Sequence, residues 1–400
     1  MRISRTDLAA IVTPSNAEYS GRFTREEFDR LMGCADPVAD EAVLSLREGG
    51  YEPHGGQLDK LRALADAGDD AAQGFFAAMA ERPGWVDSDL LERGRRLAFG
   101  LSGLYGISLL HSLYSGGVFV RSAIVTGATG RLGSDPSTRI LETAGFIGQI
   151  MAPGGLDRGA PGFEAVQRVR LLHGSIRYWT KKSESFAVPY VGEPIDQTML
   201  AMTNGLFGYL NVRSLLRLGV PLSDADIEAH HHLWRYVGWL IGIDDTLLTA
   251  DIAEERRLWS ALVAHQAFSE LFSVETLDAA TEIMAGLGAP GVPSGPARAL
   301  IRALMLHLSG GEFLGVPTES AKLLPTLALC GLGTSFGSAY YLVPGARPCL
   351  QARGRRLLAE GVKTSRRSGF GVEIEQRNEL EQEFLRLAGL AVAERFRGRM

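Results

Sequence analysis

Cysteine is scarce in this chain. Three occur among 400 residues, Cys34, Cys330 and Cys349, odd in number and widely spaced, so neither a disulfide framework nor a paired CxxC zinc site follows. A Cys-x-x-Cys-His run for covalent haem attachment is missing as well. There is no excess of positive charge: 41 Lys and Arg against 46 Asp and Glu leave a net charge of -5, which offers no basic field to a nucleic acid. The amino terminus, Met1-Arg-Ile-Ser-Arg-Thr-Asp7, lacks the apolar run of a secretion signal, which makes the cytoplasm the expected location. Low-complexity tracts are also absent, and 46% hydrophobic residues can build a large core.

What is present is helical patterning. Thr24-Arg-Glu-Glu27 has the spacing of a capping box and predicts a helix through Met32. Leu58 to Met79 reads as one or two amphipathic helices interrupted near Gly68-Asp-Asp70. Leu97 to Val120 contains no formally charged residue, a length that could cross a bilayer. Its glycines and serines make it only moderately hydrophobic, and the expectation is a buried central helix ending near Ser115-Gly-Gly, with a membrane-embedded protein as the alternative. Arg121 to Gly133 reads as turns, and Asp135-Pro136 then supplies an N-cap and a first-turn proline. Asp196 to Leu218 reads as one long apolar helix, with a stripe of Met199, Met202, Phe207 and Tyr209 that suits a substrate channel or plain core packing. Ser223-Asp-Ala-Asp226 caps the helix after it. Further helices are expected near Arg256–Phe272, Glu275–Leu287, Pro296–Leu308 and Asn378–Arg395, with an uncharged stretch after Lys322. The run Gly369 to Glu375 is the one strand-like alternation late in the chain. The expectation is an all-α protein with a single large helical domain: an extension over 1–82, a core over 83–250, and a C-terminal part over 251–400 packed on that core.

Chemistry concentrates between Ser134 and Thr180. A helix turns about 100° per residue, so Val166, Arg170, His173 and Arg177 fall within about 60° of one another, with Val169, Leu172, Ile176 and Trp179 in the adjoining sector. His173 thus stands where an apolar stripe meets two arginines. A haem b needs such a set: an imidazole for iron, hydrocarbon for the porphyrin faces, and guanidiniums for the propionates. The neighbouring positive charges would hold His173 neutral, the state that ligates metal. Arg139 and Thr143, four residues apart, share a face of the preceding helix. The plain alternative is a surface or hydrogen-bonded helix histidine. Other histidines compete less well. His111 is either an iron-side group or a hydrogen-bonded core histidine. His230, His231 and His232 are consecutive, so on a helix they point in three directions and cannot share one metal. Glu228-x-x-His231 is one half of a di-iron signature, and the chain has no second Glu-x-x-His.

Five pieces carry a family resemblance: Pro83-Gly-Trp85-Val-Asp87 followed by Leu91-Glu-Arg-Gly94; Thr126-Gly127 with Gly130-Arg131-Leu132; Arg139-x-x-x-Thr143; Val169-Arg170-x-x-His173-x-x-x-Arg177; and Pro221-Leu-Ser223-Asp-Ala-Asp226 before a helix with Trp234, Arg235 and Gly238. In their order and spacing the chain resembles the latex-clearing proteins (rubber oxygenases) and the ER-bound oxygenases of fungal meroterpenoid pathways. The resemblance implies a globin-like helical core, one haem b, dioxygen as co-substrate, and oxidative attack on a hydrophobic, isoprenoid or otherwise unsaturated small molecule. Cleavage, hydroxylation and epoxidation stay open, as does an electron donor. On that likeness His173 is the proximal iron ligand, Arg170 and Arg177 bracket it by steadying propionates or the ligand helix, and Arg139 and Thr143 stand on the oxygen side.

Two departures matter. Glu142 stands where the rubber-cleaving members have a lysine that caps the iron, and the segment Arg121 to Gly133 holds no acid where they have a glutamate base. Glu142 in an apolar pocket, with a raised pKa, could serve as that base; the plain alternative is a pairing with Arg139 or solvent. The incomplete set also leaves open a haem sensor or carrier without turnover.

Overall fold

Short polar side chains start the helices by accepting the first free backbone N–H groups. Ser4, Thr24 and Asp36 do so for α1 (Arg5–Ala9), α2 (Arg25–Leu31) and α3 (Pro37–Glu48), the last with a proline in its first turn. α4 (Gln57–Asp66) ends before Gly68, and Asp69 caps α5 (Asp70–Ala77), so the expected interruption is a real boundary. Asp87 caps α6 (Ser88–Gly100), which precedes α7 (Ser102–Gly116), α8 (Val120–Ala128), α9 (Pro136–Met151) and α10 (Pro161–Lys182). Asp196, Ser223 and Asp251 cap α11 (Gln197–Phe207), α13 (Asp224–Leu240) and α14 (Ile252–Gln266), and α12 (Tyr209–Arg217) lies between the first two. α15 (Ser294–Ser309), α16 (Leu323–Leu342) and α17 (Ala346–Ser365) follow.

These elements come from a computed structural model that describes residues 3–50, 56–128, 136–182, 191–267, 281, 294–315, 323–365 and 392–397. Among the described residues there is no strand, only an isolated bridge between Ser20 and Phe23. One buried apolar cluster runs from Leu8 to Tyr340 and joins helices from every part of the chain. The fold is all-α, as expected.

Three boundaries differ from the sequence reading. The uncharged run after Leu97 is not one helix: the chain bends by 95° between α6 and α7. At the bend Gly100 lies under the Tyr340 ring, where an added Cβ would come within 2.0 Å of Cε2. The run expected to be one helix from Asp196 to Leu218 breaks at Gly208, where Glu255 reaches in and its Oε1 accepts from Tyr209 N at 3.2 Å. Arg121 to Ala128 is helical rather than turns, and Val120, Arg121, Ile124 and Val125 of α8 are buried. No single helix among the described residues is long and apolar enough to cross a membrane; only the bent α6–α7 pair passes on length and composition. The expected helix at Glu275–Leu287 (except residue 281), the Gly369–Glu375 run, Asp135, and most of Asn378–Arg395 lie outside the described residues.

Packing then frames one helix hairpin. α9 lies against α10 and α17, α10 lies against α3, and α6 lies against α13 and α17. Two of the sequence pieces singled out above meet in that last arrangement. Gly94 presses on Ala229, where a Cβ would sit 2.5 Å from the carbonyl oxygen, and Arg93 Nε donates to Asp226 Oδ1 at 2.7 Å. Nearby, Arg235 stacks over the Trp85 ring at 4.0 Å. These pieces hold helices together.

Candidate functional site

The α9–α10 hairpin is set by close backbone contact. A Cβ at Gly155 would lie 2.3 Å from the Gln149 carbonyl oxygen, and one at Gly162 would lie 2.5 Å from the same atom, so only glycine lets the connection fold this tightly. Phe163 N donates to Gly155 O at 2.8 Å and closes the turn. From α6, the buried Arg95 donates to Met151 O at 2.9 Å, a cation on the last carbonyl of α9. Burial pulls the Arg95 guanidinium down to about 10.

On the other side α10 is clamped to α3. Arg170 grips Asp36 through both arms of its fork, Nε to Oδ2 at 2.7 Å and Nη2 to Oδ1 at 2.9 Å, and reaches Leu240 O with Nη1 at 3.3 Å. Two turns on, Arg177 donates through Nε to Asp40 Oδ1 at 2.7 Å, through Nη1 to Ile195 O at 3.3 Å, and through Nη2 to Asp36 O at 3.4 Å. Gly174 lies between them, where a Cβ would stand 2.9 Å from Ala39 O. Desolvation raises the Asp40 carboxyl above its usual range against the opposing pull of Arg177. Ile195, held by Arg177, has φ 53°, a left-handed conformation that a β-branched residue adopts only under constraint. The donors of Arg170 and Arg177 therefore point to protein oxygens. These contacts steady α10 against α3 and the segment before α11.

With that face fixed, His173 lies about 60° around the helix from Arg170, at the edge of the clamp. It is half-buried, and so are Val169, Leu172, Ile176 and Trp179 beside it, whereas Arg170, Leu171, Gly174, Ser175 and Arg177 are buried. On α9, Glu142 is buried at 3% exposure and Thr143 is half-buried one residue on; Phe146, Ile147 and Ile150 continue the buried stripe. Glu142, Thr143 and His173 all have interaction partners within the fold. The Arg139 backbone lies in α9, and its side chain is outside the described residues.

The other sequence candidates are absorbed by packing. His230 bonds to Tyr105 Oη at 3.0 Å, His231 to Thr249 Oγ1 at 2.9 Å, and His232 accepts from Asp87 N at 2.9 Å: three partners on three segments. His111 is fully buried between Ser309 Oγ at 2.6 Å and Ser214 Oγ at 2.9 Å. Met199 and Met202 are core residues. Among the described residues no group of three or more His, Cys, Asp or Glu side chains could hold a metal ion. Asp36 and Asp40 escaped the sequence reading as site residues. The available signal was two acids one helical turn apart matching two arginines two turns apart.

Fold and site together define an all-helical protein built on a hairpin whose second helix carries one histidine at the edge of an arginine-clamped face. A family model described as "ER-bound oxygenase mpaB/B'/Rubber oxygenase, catalytic domain" matches residues 93–332, and the chain belongs to that family. It is 27% identical over 251 residues to the rubber oxygenase of Streptomyces sp. (strain K30), a match covering 60% of this chain and 58% of that protein. The chain thus matches less than two thirds of that relative's length. A solved structure of latex clearing protein LCP in the closed state superimposes with a TM-score of 0.57 at 18% identity, covering 90% of this chain and 95% of that one, and shares the fold.

Proposed function

We propose that this protein is a haem b-dependent oxygenase that uses dioxygen to attack a hydrophobic, unsaturated small molecule, with an isoprenoid as the substrate class. One observation carries the reading. His173 borders a sector of α10, Val169, Leu172 and Ile176, that is apolar yet only half-buried, while the adjoining sector on its other side, with Arg170 and Arg177, is clamped and buried. An imidazole beside hydrocarbon that the protein's own core leaves partly uncovered fits a flat apolar macrocycle with a central metal. Family membership and the rubber oxygenase relative support oxygenation of an unsaturated substrate.

In this reading His173 would hold the iron, and Arg170 and Arg177, through Asp36 and Asp40, fix the helix that carries it. Bound there, the haem supplies the site at which dioxygen is activated for transfer to carbon. Glu142, buried on α9, is the carboxylate placed to act as the base that takes a proton from the substrate. Thr143 offers a hydroxyl beside it, and Arg139 on the same helix adds a positive charge. The apolar lining excludes water from the reacting double bond.

The test is spectral first and chemical second. Purified protein should carry a Soret band that is lost in His173→Ala; a band unchanged in position and yield removes His173 from the mechanism. Single-turnover mixing of the ferrous protein with labelled dioxygen and squalene should give labelled oxygenated product, and Glu142→Gln should slow that step about 100-fold while keeping the Soret band. A coloured protein that returns no product is a sensor or carrier.

A further inference from the structure

A cleft of about 500 Å³ opens on the flank of α10 away from His173, between α4, α5, the 152–160 connection and the first turns of α10. That volume lies within the range of small-molecule sites. Phe76, Met79 and Phe163 give it apolar walls. Two polar groups in the lining stand out. Gln167 is only 4% exposed, and its amide makes no hydrogen bond among the described residues, which leaves its donors and acceptor open to the cleft it lines. Arg158, at the exposed mouth, forms no ion pair among the described residues, and its one contact is a 3.5 Å hydrogen bond to Ala80 O. The other lining guanidinium, Arg62, is already paired with Asp59 at 3.2 Å and Glu164 at 2.8 Å. Asp66 is on the exposed rim, where water screens its charge.

We propose that this cleft binds a monocarboxylate with an apolar chain and an oxygen function at its far end, such as a hydroxy fatty acid. The carboxylate pairs with Arg158 at the mouth, the chain runs along Phe76, Met79 and Phe163, and the far oxygen exchanges hydrogen bonds with the Gln167 amide, which offers both donors and an acceptor. The site is independent of the proposed haem pocket. Gln167 precedes His173 by about 9 Å of helix rise and lies about 120° around the axis from it.

Isothermal titration of the full-length protein with 12-hydroxydodecanoate, dodecanoate and 1-dodecanol tests this directly. The hydroxy acid should bind at one site per chain and about fivefold tighter than dodecanoate. Arg158→Ala should weaken both acids at least about tenfold and leave 1-dodecanol unchanged. Gln167→Leu should abolish the advantage of the hydroxy acid, and Ala65→Trp, which fills the cleft, should abolish binding of both acids. Absence of binding, equal affinity for 1-dodecanol, or affinities unmoved by both Arg158→Ala and Ala65→Trp would overturn the proposal. Arg158 is exposed, so its variant folds and keeps the test decisive if the tryptophan variant does not. His173→Ala should bind the acids as wild type does, which separates failure of this site from failure of the haem reading.

Discussion

Two helices carry histidines that a reader of the sequence would weigh as metal ligands, and the fold treats them in opposite ways. α13 has three in a row, each buried and each bonded to a different segment: Tyr105, Thr249 and the Asp87 backbone. α10 has one, half-buried at the border between a clamped face and an apolar sector that is itself half-buried. The density of imidazoles therefore misleads. In the proposed reading, what would mark the ligand is a neighbourhood with apolar surface still to cover, on a helix whose orientation other residues fix.

The largest way to break this contrast is at the clamp. Arg170→Ala would leave Asp36 buried without its bidentate partner, a loss of about 3–5 kcal/mol in stability. Urea unfolding measures it. Arg170→Lys should recover only part, since an ammonium cannot span both carboxylate oxygens. The same variant sharpens the functional claim: haem uptake should fall because α10 is no longer held in register. Uptake that survives a loss of this size would mean that the clamp does not orient His173.

The second contrast is electrostatic. Burial holds His230 and His231 near pKa 3 and pushes the Glu255 carboxyl from an ordinary 4.5 up to about 8, with Glu255 Oε2 3.9 Å from His231 Nε2. His230, His231 and Glu255 are thus uncharged at neutral pH. A carboxyl raised in the folded state contributes stability that is complete below 4.5 and is lost as pH climbs towards about 8. The lowered histidines act oppositely, contributing stability above 6.5 that is lost as pH falls, so their slope offsets that of Glu255 on the acid side. Between pH 6.5 and 8 the Glu255 contribution falls by roughly 1.5 kcal/mol, offset in part just above pH 6.5 where the histidines of the unfolded chain are still about half-protonated. Glu255→Gln should flatten the stability curve there, as urea midpoints at pH 6.5, 7.25 and 8 would show; an unchanged slope would mean that Glu255 is ionised in the fold.

Much of this was legible in the sequence. Helix periodicity put His173 beside Arg170 and Arg177, and the caps at Thr24, Asp69 and Ser223 are local chemistry that the chain spells out. What was illegible is what distant residues impose. Tyr340 packs over Gly100 at the bend, Glu255 bonds to the chain at the Gly208 break, and Asp36 and Asp40 meet arginines more than a hundred positions later. No window of sequence contains both partners, so the contacts at the helix breaks and the carboxylate partners of the arginines emerge only on packing.

The smallest effect probes the α13 side of the comparison most directly. His232 accepts from Asp87 N at 2.9 Å and meets the Trp85 ring edge-on at 5.7 Å, which fastens the start of α6 to α13. His232→Ala removes one acceptor from a partly buried N–H and one ring contact, and should lower stability by about 1–2 kcal/mol. Because α13 would still pack through Gly94 and Ala229, and Arg93 would still reach Asp226, the haem content should match wild type. His230→Ala and His231→Ala should behave alike in colour while losing more stability, their imidazoles being buried more deeply. A Soret yield that falls with any of these three as far as with His173→Ala would move the iron to α13 and reverse the contrast drawn here.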